Sequence, residues 1–146
     1  FGKRSAEIVD VGFFDSDRRP LTWIVGGEEV ILRISAVVHA PLSSVIIGFH
    51  VKDRLGQTLF GDNTYISYLD NPFACEAGEE LAAEFYFQMP RLASGDYSVS
   101  AAIADGTQSE HIQHHWIHDA LFFRSESSSV AAGMVGIPMA KIKLGN

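Results

Sequence analysis

Cysteine is nearly absent from the sequence, which has Cys75 alone among its 146 residues. A single cysteine cannot form a disulfide within the chain, and its scarcity predicts a reducing compartment, the cytoplasm. Apolar runs are short as well, because none approaches the roughly 20 residues that a membrane-spanning helix requires. The sequence also begins without an initiator methionine or a secretory signal, so we expect a piece of a longer polypeptide.

Positive charge is scarce, since 11 Lys and Arg residues stand against 18 Asp and Glu residues and the formal net charge is -7. A surface of that sign repels phosphate backbones and anionic lipids, which argues against nucleic acid as a partner. The hydrophobic share of 47% is nevertheless high enough to bury a core, and the length suits one domain. The sequence therefore predicts one acidic, folded domain.

Helical periodicity is missing, and apolar residues instead alternate with polar ones along most of the chain. Alternation with a period of two indicates strands that have one buried face. The clearest predicted strands span residues 28–39, 43–53, 80–88 and 96–104, and weaker ones span 7–14, 58–60, 64–68, 112–123 and 137–144. The sequence predicts an all-β fold, an antiparallel β-sandwich of the immunoglobulin-like or jelly-roll type with no parallel sheet.

The C-terminal part departs from this pattern. Residues 125–136 are rich in serine and glycine, as in a flexible linker, and follow a sandwich predicted over residues 1–124. Residues 137–146 alternate again, which predicts a C-terminal strand on a flexible tether. Such a strand can dock on its own sheet or on a second copy of the chain. We expect exchange between two copies, giving a homodimer, and docking within one chain stays open.

Motifs for catalysis and for metal binding are missing too. The sequence has no Gly-x-Ser-x-Gly elbow, no phosphate-binding loop and no dinucleotide-binding turn, so we expect neither enzyme activity nor a cofactor in this domain. Four histidines, His111, His114, His115 and His118, could share a metal ion on a helix. Their β-branched and aromatic neighbours favour a strand, where residues four apart are separated by about 13 Å, and no metal site is predicted.

The outward faces of the predicted strands carry small polar residues beside an occasional aromatic ring, imidazole or guanidinium group. Such surfaces suit glycans, because hydroxyls pair with polar side chains and the C–H face of a sugar stacks on an aromatic ring. Candidate stacking platforms are Trp23, Tyr65, Tyr68, Tyr86 and Trp116. Because the net charge is negative, a neutral glycan is favoured over a polyanion.

Two groups of candidate glycan-binding residues follow from the alternation. The first group is His50, Ser98, Ser100, His114 and Trp116, and the second is Arg33 and Tyr86. If strands 43–53, 96–104 and 112–123 lie side by side, the first group lines one groove and the second lies on the opposite sheet. We favour the groove as the binding site.

Three segments resemble elements of one known family. Residues 56–64 (GQTLFGDNT) are similar to a Gly-x-x-Leu-Phe-x-x-Asn-Thr element, and residues 85–97 to a hydrophobic strand followed by Pro-x-Leu-x-x-Gly-x-Tyr. Residues 116–123 are similar to an ending with Asp-Ala-x-x-Phe. In this order the segments resemble the C-terminal carbohydrate-binding domain of Wzt, the ATPase subunit of O-antigen polysaccharide ABC transporters. The similarity extends from about Ile8 to Phe123.

The resemblance implies a cytoplasmic β-sandwich, at the inner face of the bacterial inner membrane, that recognises the capped non-reducing end of a lipid-linked polysaccharide before export. It also implies a nucleotide-binding domain in the parent chain and a transmembrane transporter subunit as partner. The similar residues, such as Asn63, Gly95, Tyr97 and Asp119, lie mainly in turns and core, so the resemblance extends to the fold and not to binding residues. The alternative is a protein-interaction sandwich that dimerises its parent chain and has no glycan ligand.

Overall fold

A computed structural model of the chain describes residues 5–106, 111–126 and 132–145, and these residues form ten strands. The strands are β1 (Ala6–Asp15), β2 (Trp23–Ile24), β3 (Glu29–Val38), β4 (Val45–Asp53), β5 (Thr58–Asn63), β6 (Glu80–Gln88), β7 (Arg91–Leu92), β8 (Gly95–Gly106), β9 (His111–Ser125) and β10 (Val135–Gly136). One short 3-10 helix, Ile66–Tyr68, follows β5. No helix among the described residues is long and apolar enough to span a membrane.

The strands form two main sheets with a shared core between them. The smaller sheet has the order β1–β3–β6 and the larger has the order β2–β9–β8–β4–β5, while β10 and β7 form a separate pair. Every long pairing is antiparallel, and the two-residue pairing of β2 with β9 is parallel. The all-β sandwich predicted from the sequence is confirmed, apart from this one short parallel pairing.

The alternation of apolar residues explains why the two sheets face each other. In β3 the alternate residues from Val30 to Val38 are at most 2% exposed. In β8 the alternate residues from Tyr97 to Ile103 belong to the same core. Burial of each valine, leucine or isoleucine side chain among them stabilises the fold by about 1.5–3 kcal/mol. The other alternate residues of β8, which are Ser98, Ser100, Ala102 and Ala104, therefore belong to the outward face of the larger sheet.

Phe49 of β4 is the centre of an aromatic cluster that joins the two sheets. Its ring centroid lies 6.4 Å from that of Phe60 in the larger sheet, and 4.9 Å and 6.2 Å from those of Phe85 and Phe87 in the smaller sheet. Phe49 is only 5% exposed. The cluster thus packs against the inner face of the larger sheet, and the residues of β4 on either side of Phe49 lie on the outward face.

A buried hydrogen bond also links the sheets. The backbone N–H of Ile8 in β1 donates to Nδ1 of His115 in β9 over 2.8 Å. His115 is 8% exposed. Because Nδ1 accepts this bond, the proton of the neutral imidazole lies on Nε2.

Two predicted strands differ from the observed structure. Residues 64–68 were expected to be extended but contain the 3-10 helix, because the side-chain oxygen of Asn63 accepts a hydrogen bond from the N–H of Tyr65 and turns the chain. The residues after β10 lie in no strand of the described chain, although a C-terminal strand was predicted there. β10 itself falls within the predicted linker and pairs with β7.

β9 extends to Ser125, one residue beyond the predicted end of the sandwich. Residues 1–4, 107–110, 127–131 and 146 lie outside the described residues, so the parts of the sandwich, linker and final strand predicted there are not compared. A strand exchanged between two copies needs a partner chain, and the exchange stays a prediction.

Candidate functional site

The outward face of the larger sheet contains a groove whose floor is formed mainly by small residues. The floor is formed by Gly48 of β4 and by Ala102 and Ala104 of β8, and Gly48 is directly opposite Ala102 in the register. The cavity above this floor has a volume of about 240 Å³. Small residues on adjacent strands therefore leave space on an otherwise continuous sheet surface.

Two larger side chains form the walls of the groove. Trp116 of β9 is paired with Ala102, and Asn63 of β5 is paired with Gly48, so four residues form one row across four strands. Three steps between strands, each of about 4.8 Å, place the Cα atoms of Trp116 and Asn63 about 14 Å apart. The row consists of an aromatic wall, a flat floor and an amide wall.

Two imidazole rings contact the aromatic wall. The ring centroids of His50 and Trp116 are 6.0 Å apart with the planes at 78°, and those of His118 and Trp116 are 5.3 Å apart with the planes at 30°. His50 and His118 are exposed, whereas Trp116 is half-buried. Nε1 of Trp116 is buried and has no hydrogen-bond partner among the described residues. The groove thus has an aromatic surface with polar ring nitrogens beside it.

Two glycines keep β5 close to the groove. A Cβ atom at Gly61 would clash with the backbone carbonyl oxygen of Phe49, so only glycine permits β5 to approach β4 here. A Cβ atom at Gly48 would lie 3.0 Å from Cβ of Asn63, which is a tight contact that would require Asn63 to move. The segment 56–64, which resembles a family element, contributes a wall of the groove through Asp62 and Asn63.

Ser98 and Ser100 of β8 are engaged within the sheet. They are 6% and 2% exposed. The hydroxyl of Ser98 donates to Oδ1 of Asp119 over 2.7 Å, and the backbone N–H of Asp119 donates to Oγ of Ser100 over 3.2 Å. Nζ of Lys52 lies 3.8 Å from the same carboxylate. The two serines therefore hold Asp119, whose φ of 52° marks a bulge in β9.

His114 does not line the groove, although the sequence pattern groups it with Trp116. The register shifts between the pairs Ile103–His115 and Ala104–Gln113, so His114 is an extra residue of β9. It is 3% exposed. The bulge changes the alternation along β9. Of the five residues predicted for the groove, the structure brings His50, Ser100 and Trp116 to its cavity, and Ser98 lies farther along the same face.

Arg33 and Tyr86 lie on the smaller sheet, away from the groove, as the sequence predicted. Both contact Glu84: Nε of Arg33 is 3.3 Å from its carboxylate, and the hydroxyl of Tyr86 donates to it over 2.7 Å. Arg18 binds the same carboxylate with two nitrogens, at 2.7 Å and 3.1 Å. These hydrogen bonds, that of Arg18 above all, lower the pKa of Glu84 to about 2. Arg33 and Tyr86 therefore belong to an ion-pair network.

The comparisons with known proteins agree with this architecture. A family model described as the Wzt C-terminal domain matches residues 1–137. The chain belongs to the Wzt C-terminal domain family. A crystal structure of the C-terminal domain of Wzt is similar at a TM-score of 0.85 and 18% sequence identity, covering 99% of this chain and 87% of that chain. Among curated protein sequences, none matches the chain significantly.

Membership confirms the resemblance found in the sequence. The Wzt C-terminal domain is a non-catalytic domain of an ABC transporter subunit, and the family is associated with O-antigen transporters and a parent ATPase domain. In this chain the four clustered histidines lie on the strand β9, which begins one residue before the predicted strand 112–123 and so includes His111. Within the described part of the chain, no group of three or more His, Cys, Asp or Glu side chains could hold a metal ion.

Sequence reasoning missed several residues around the groove of this Wzt domain. Asp62, Asn63 and Gln113 line its cavity but were not among the candidates. The first two lie in the segment 56–64, whose resemblance to a family element did not extend to binding residues, and Gln113 lies before the bulge in β9. The one available signal was the order of small residues, Gly48 and Gly61, on adjacent strands.

Proposed function

We propose that this domain binds a glycan, the non-reducing end of a lipid-linked O-antigen polysaccharide, in the groove beside Trp116. The row from Trp116 across Ala102 and Gly48 to Asn63 supports this proposal. A sugar ring can stand on the flat floor with its C–H face against the indole, because aromatic faces bind apolar C–H surfaces well. The amide of Asn63 then faces the hydroxyls on the other side.

The polar groups of the groove suit a neutral ligand with hydroxyls. His50 and Gln113 can donate and accept hydrogen bonds, and the carboxylate of Asp62 accepts them. No Lys or Arg lies among the described residues that line this cavity. A phosphorylated end would meet a carboxylate without a permanent positive charge, which favours a neutral cap.

The proposed role is to read the finished polysaccharide before transport. Because the family is associated with O-antigen ABC transporters, binding here would present the completed chain to the parent ATPase and the transmembrane subunit, at the cytoplasmic face of the inner membrane. Recognition of this kind breaks no bond and requires no cofactor. The domain would act as a binding module.

Isothermal titration calorimetry with capped and uncapped O-antigen oligosaccharides tests the proposal. We expect tighter binding of the capped ligand, and a loss of about tenfold or more for Trp116→Ala, because a central aromatic contact is removed. Phe73→Ala, which removes an exposed aromatic ring on another part of the chain, is the matched control and should bind like the wild type. Equal binding of both ligands, or binding of neither, would reject recognition of the end.

We also propose that residues 137–145 pair with a second copy of the chain. Their apolar side chains Ile137, Met139, Ile142 and Leu144 are 71%, 63%, 86% and 100% exposed, as expected for a segment whose partner is another molecule. β5 and β6 are edge strands that could receive it.

Sedimentation velocity at micromolar concentration tests the exchange. The full chain should sediment as a dimer, and a chain that ends at Gly136 should sediment as a monomer with its sandwich intact by circular dichroism. A monomeric full chain, or a dimer that survives the truncation, would contradict the exchange.

A further inference from the structure

We infer that the binding surface continues beyond the groove along three aromatic side chains, Trp116, Phe122 and Trp23, which bind consecutive sugars of one glycan chain. We call these three residues the aromatic strip. The inference rests on the proposed glycan binding and concerns how much of the chain is bound.

Phe122 places a second ring on the same face as Trp116. It is paired with Ser98, whereas Trp116 is paired with Ala102, and both partners belong to the outward face of β8. Phe122 is 67% exposed although the next residue, Phe123, is 3% exposed and lies in the core. The two rows are four positions apart along β8, a distance of about 13 Å.

Trp23 places a third ring at the edge of the sheet. It lies beside Arg124 in the parallel pairing of β2 with β9, and Arg124 is paired with Asp96 of β8. Trp23 is 57% exposed, while its neighbour Ile24 is 1% exposed. The row of Trp23 is thus two residues of β8 beyond that of Phe122, and the strip extends over about 20 Å.

Two cavities lie on this side of the sheet, near Phe122 and Arg124. One, of about 220 Å³, is lined by Phe122 together with Lys52, Arg54 and Asp119. A second, of about 340 Å³, is lined by Arg54, Asp96 and Arg124. Arg54 is exposed and lines both cavities, so its guanidinium can donate hydrogen bonds to a ligand there. Charged side chains that can bind hydroxyls therefore lie beside Phe122 and in the row of Trp23.

This arrangement fits a glycan better than a protein partner. Arg124 is 3.0 Å from Asp96 and 3.0 Å from Glu126, so charged pairs lie next to the rings. The central part of a protein interface is depleted in charge and forms a continuous apolar patch. A polysaccharide instead alternates C–H faces with hydroxyls, which matches exposed rings that have charged, hydroxyl-binding side chains beside them.

Titration of the full chain with two oligosaccharides that share one end tests the strip. The short ligand fills only the groove, and the long ligand also reaches β2. We expect the long ligand to bind about tenfold more tightly, and Phe122→Ala with Trp23→Ala to remove this gain while the affinity for the short ligand is unchanged. Phe73→Ala is the matched control and should preserve the gain.

The possible failures are distinguishable. If the wild type binds neither ligand, both the proposed function and the strip are rejected. If both ligands bind equally, or if the double variant preserves the gain, the strip is rejected and binding in the groove stands. If the double variant changes the sedimentation coefficient without changing either affinity, the strip is a protein contact and the inference is wrong.

Discussion

Replacing Phe49 with alanine is expected to lower the free energy of unfolding by about 3–5 kcal/mol, because the variant loses a buried ring and leaves a cavity. The loss falls where both sheets meet, since the ring contacts Phe60 on one side and Phe85 and Phe87 on the other. Urea denaturation followed by circular dichroism measures the change. A single domain of this size loses much of its stability by such a change.

The matched control for this substitution is Phe122→Ala. Phe122 is also a phenylalanine of the larger sheet, but it is 67% exposed. Its removal should change the free energy of unfolding by less than about 0.5 kcal/mol. If Phe49→Ala were equally mild, the aromatic cluster would not be what joins the sheets.

Replacing Ala102 with phenylalanine is expected to weaken glycan binding by about a hundredfold or more, a loss of roughly 2.7 kcal/mol. Ala102 lies in the floor of the groove between Gly48 and Trp116, so a larger side chain occupies the place proposed for the sugar ring. The fold should tolerate the change, because the side chain extends into an open cavity and aromatic residues are favoured in strands. Titration calorimetry measures the affinity and thermal unfolding measures the stability.

Ala102→Ser provides the comparison for this experiment. Serine adds one oxygen atom and leaves the floor nearly flat, so the affinity should remain close to that of the wild type. Full binding by Ala102→Phe would show that the glycan binds elsewhere on the domain.

The sequence allowed most of the fold to be predicted because the signal for strands is local. Alternation in 28–39, 43–53 and 96–104 predicted β3, β4 and β8, and the groove followed from placing neighbouring strands together. His50 and Trp116 were found in this way. Both lie in strands on the same outward face, so a simple period of two was sufficient.

Bulges explain what could not be predicted. An extra residue in a strand changes the face of every residue beyond it, and no local pattern records the register of the partner strand. His114 is the extra residue at one shift, and the bulge at Asp119 engages Ser98 and Ser100. The aspartate was the only local indication, because Asp adopts positive φ more readily than most residues.

The outward orientation of the aromatic strip could not be predicted from the sequence for a different reason. Phe122 lies in the apolar run Leu121–Phe123, where a period of two cannot be recognised. Trp23 lies in a strand of two residues, which is too short for any period. Each ring is assigned to a face only when the pairing with β9 or β8 is known.

The hydrogen bond between Ile8 and His115 has a consequence for the order in which the domain forms. It joins residues 107 positions apart, and the pairing of Trp23 with Arg124 also connects the two ends of the sandwich. Domains dominated by such distant contacts fold slowly, in milliseconds to seconds. On the ribosome, β1 emerges early and can pair with β3, but the amide of Ile8 acquires its acceptor only after β9 has been synthesised. The sandwich is therefore completed late, when nearly the whole domain has left the ribosome.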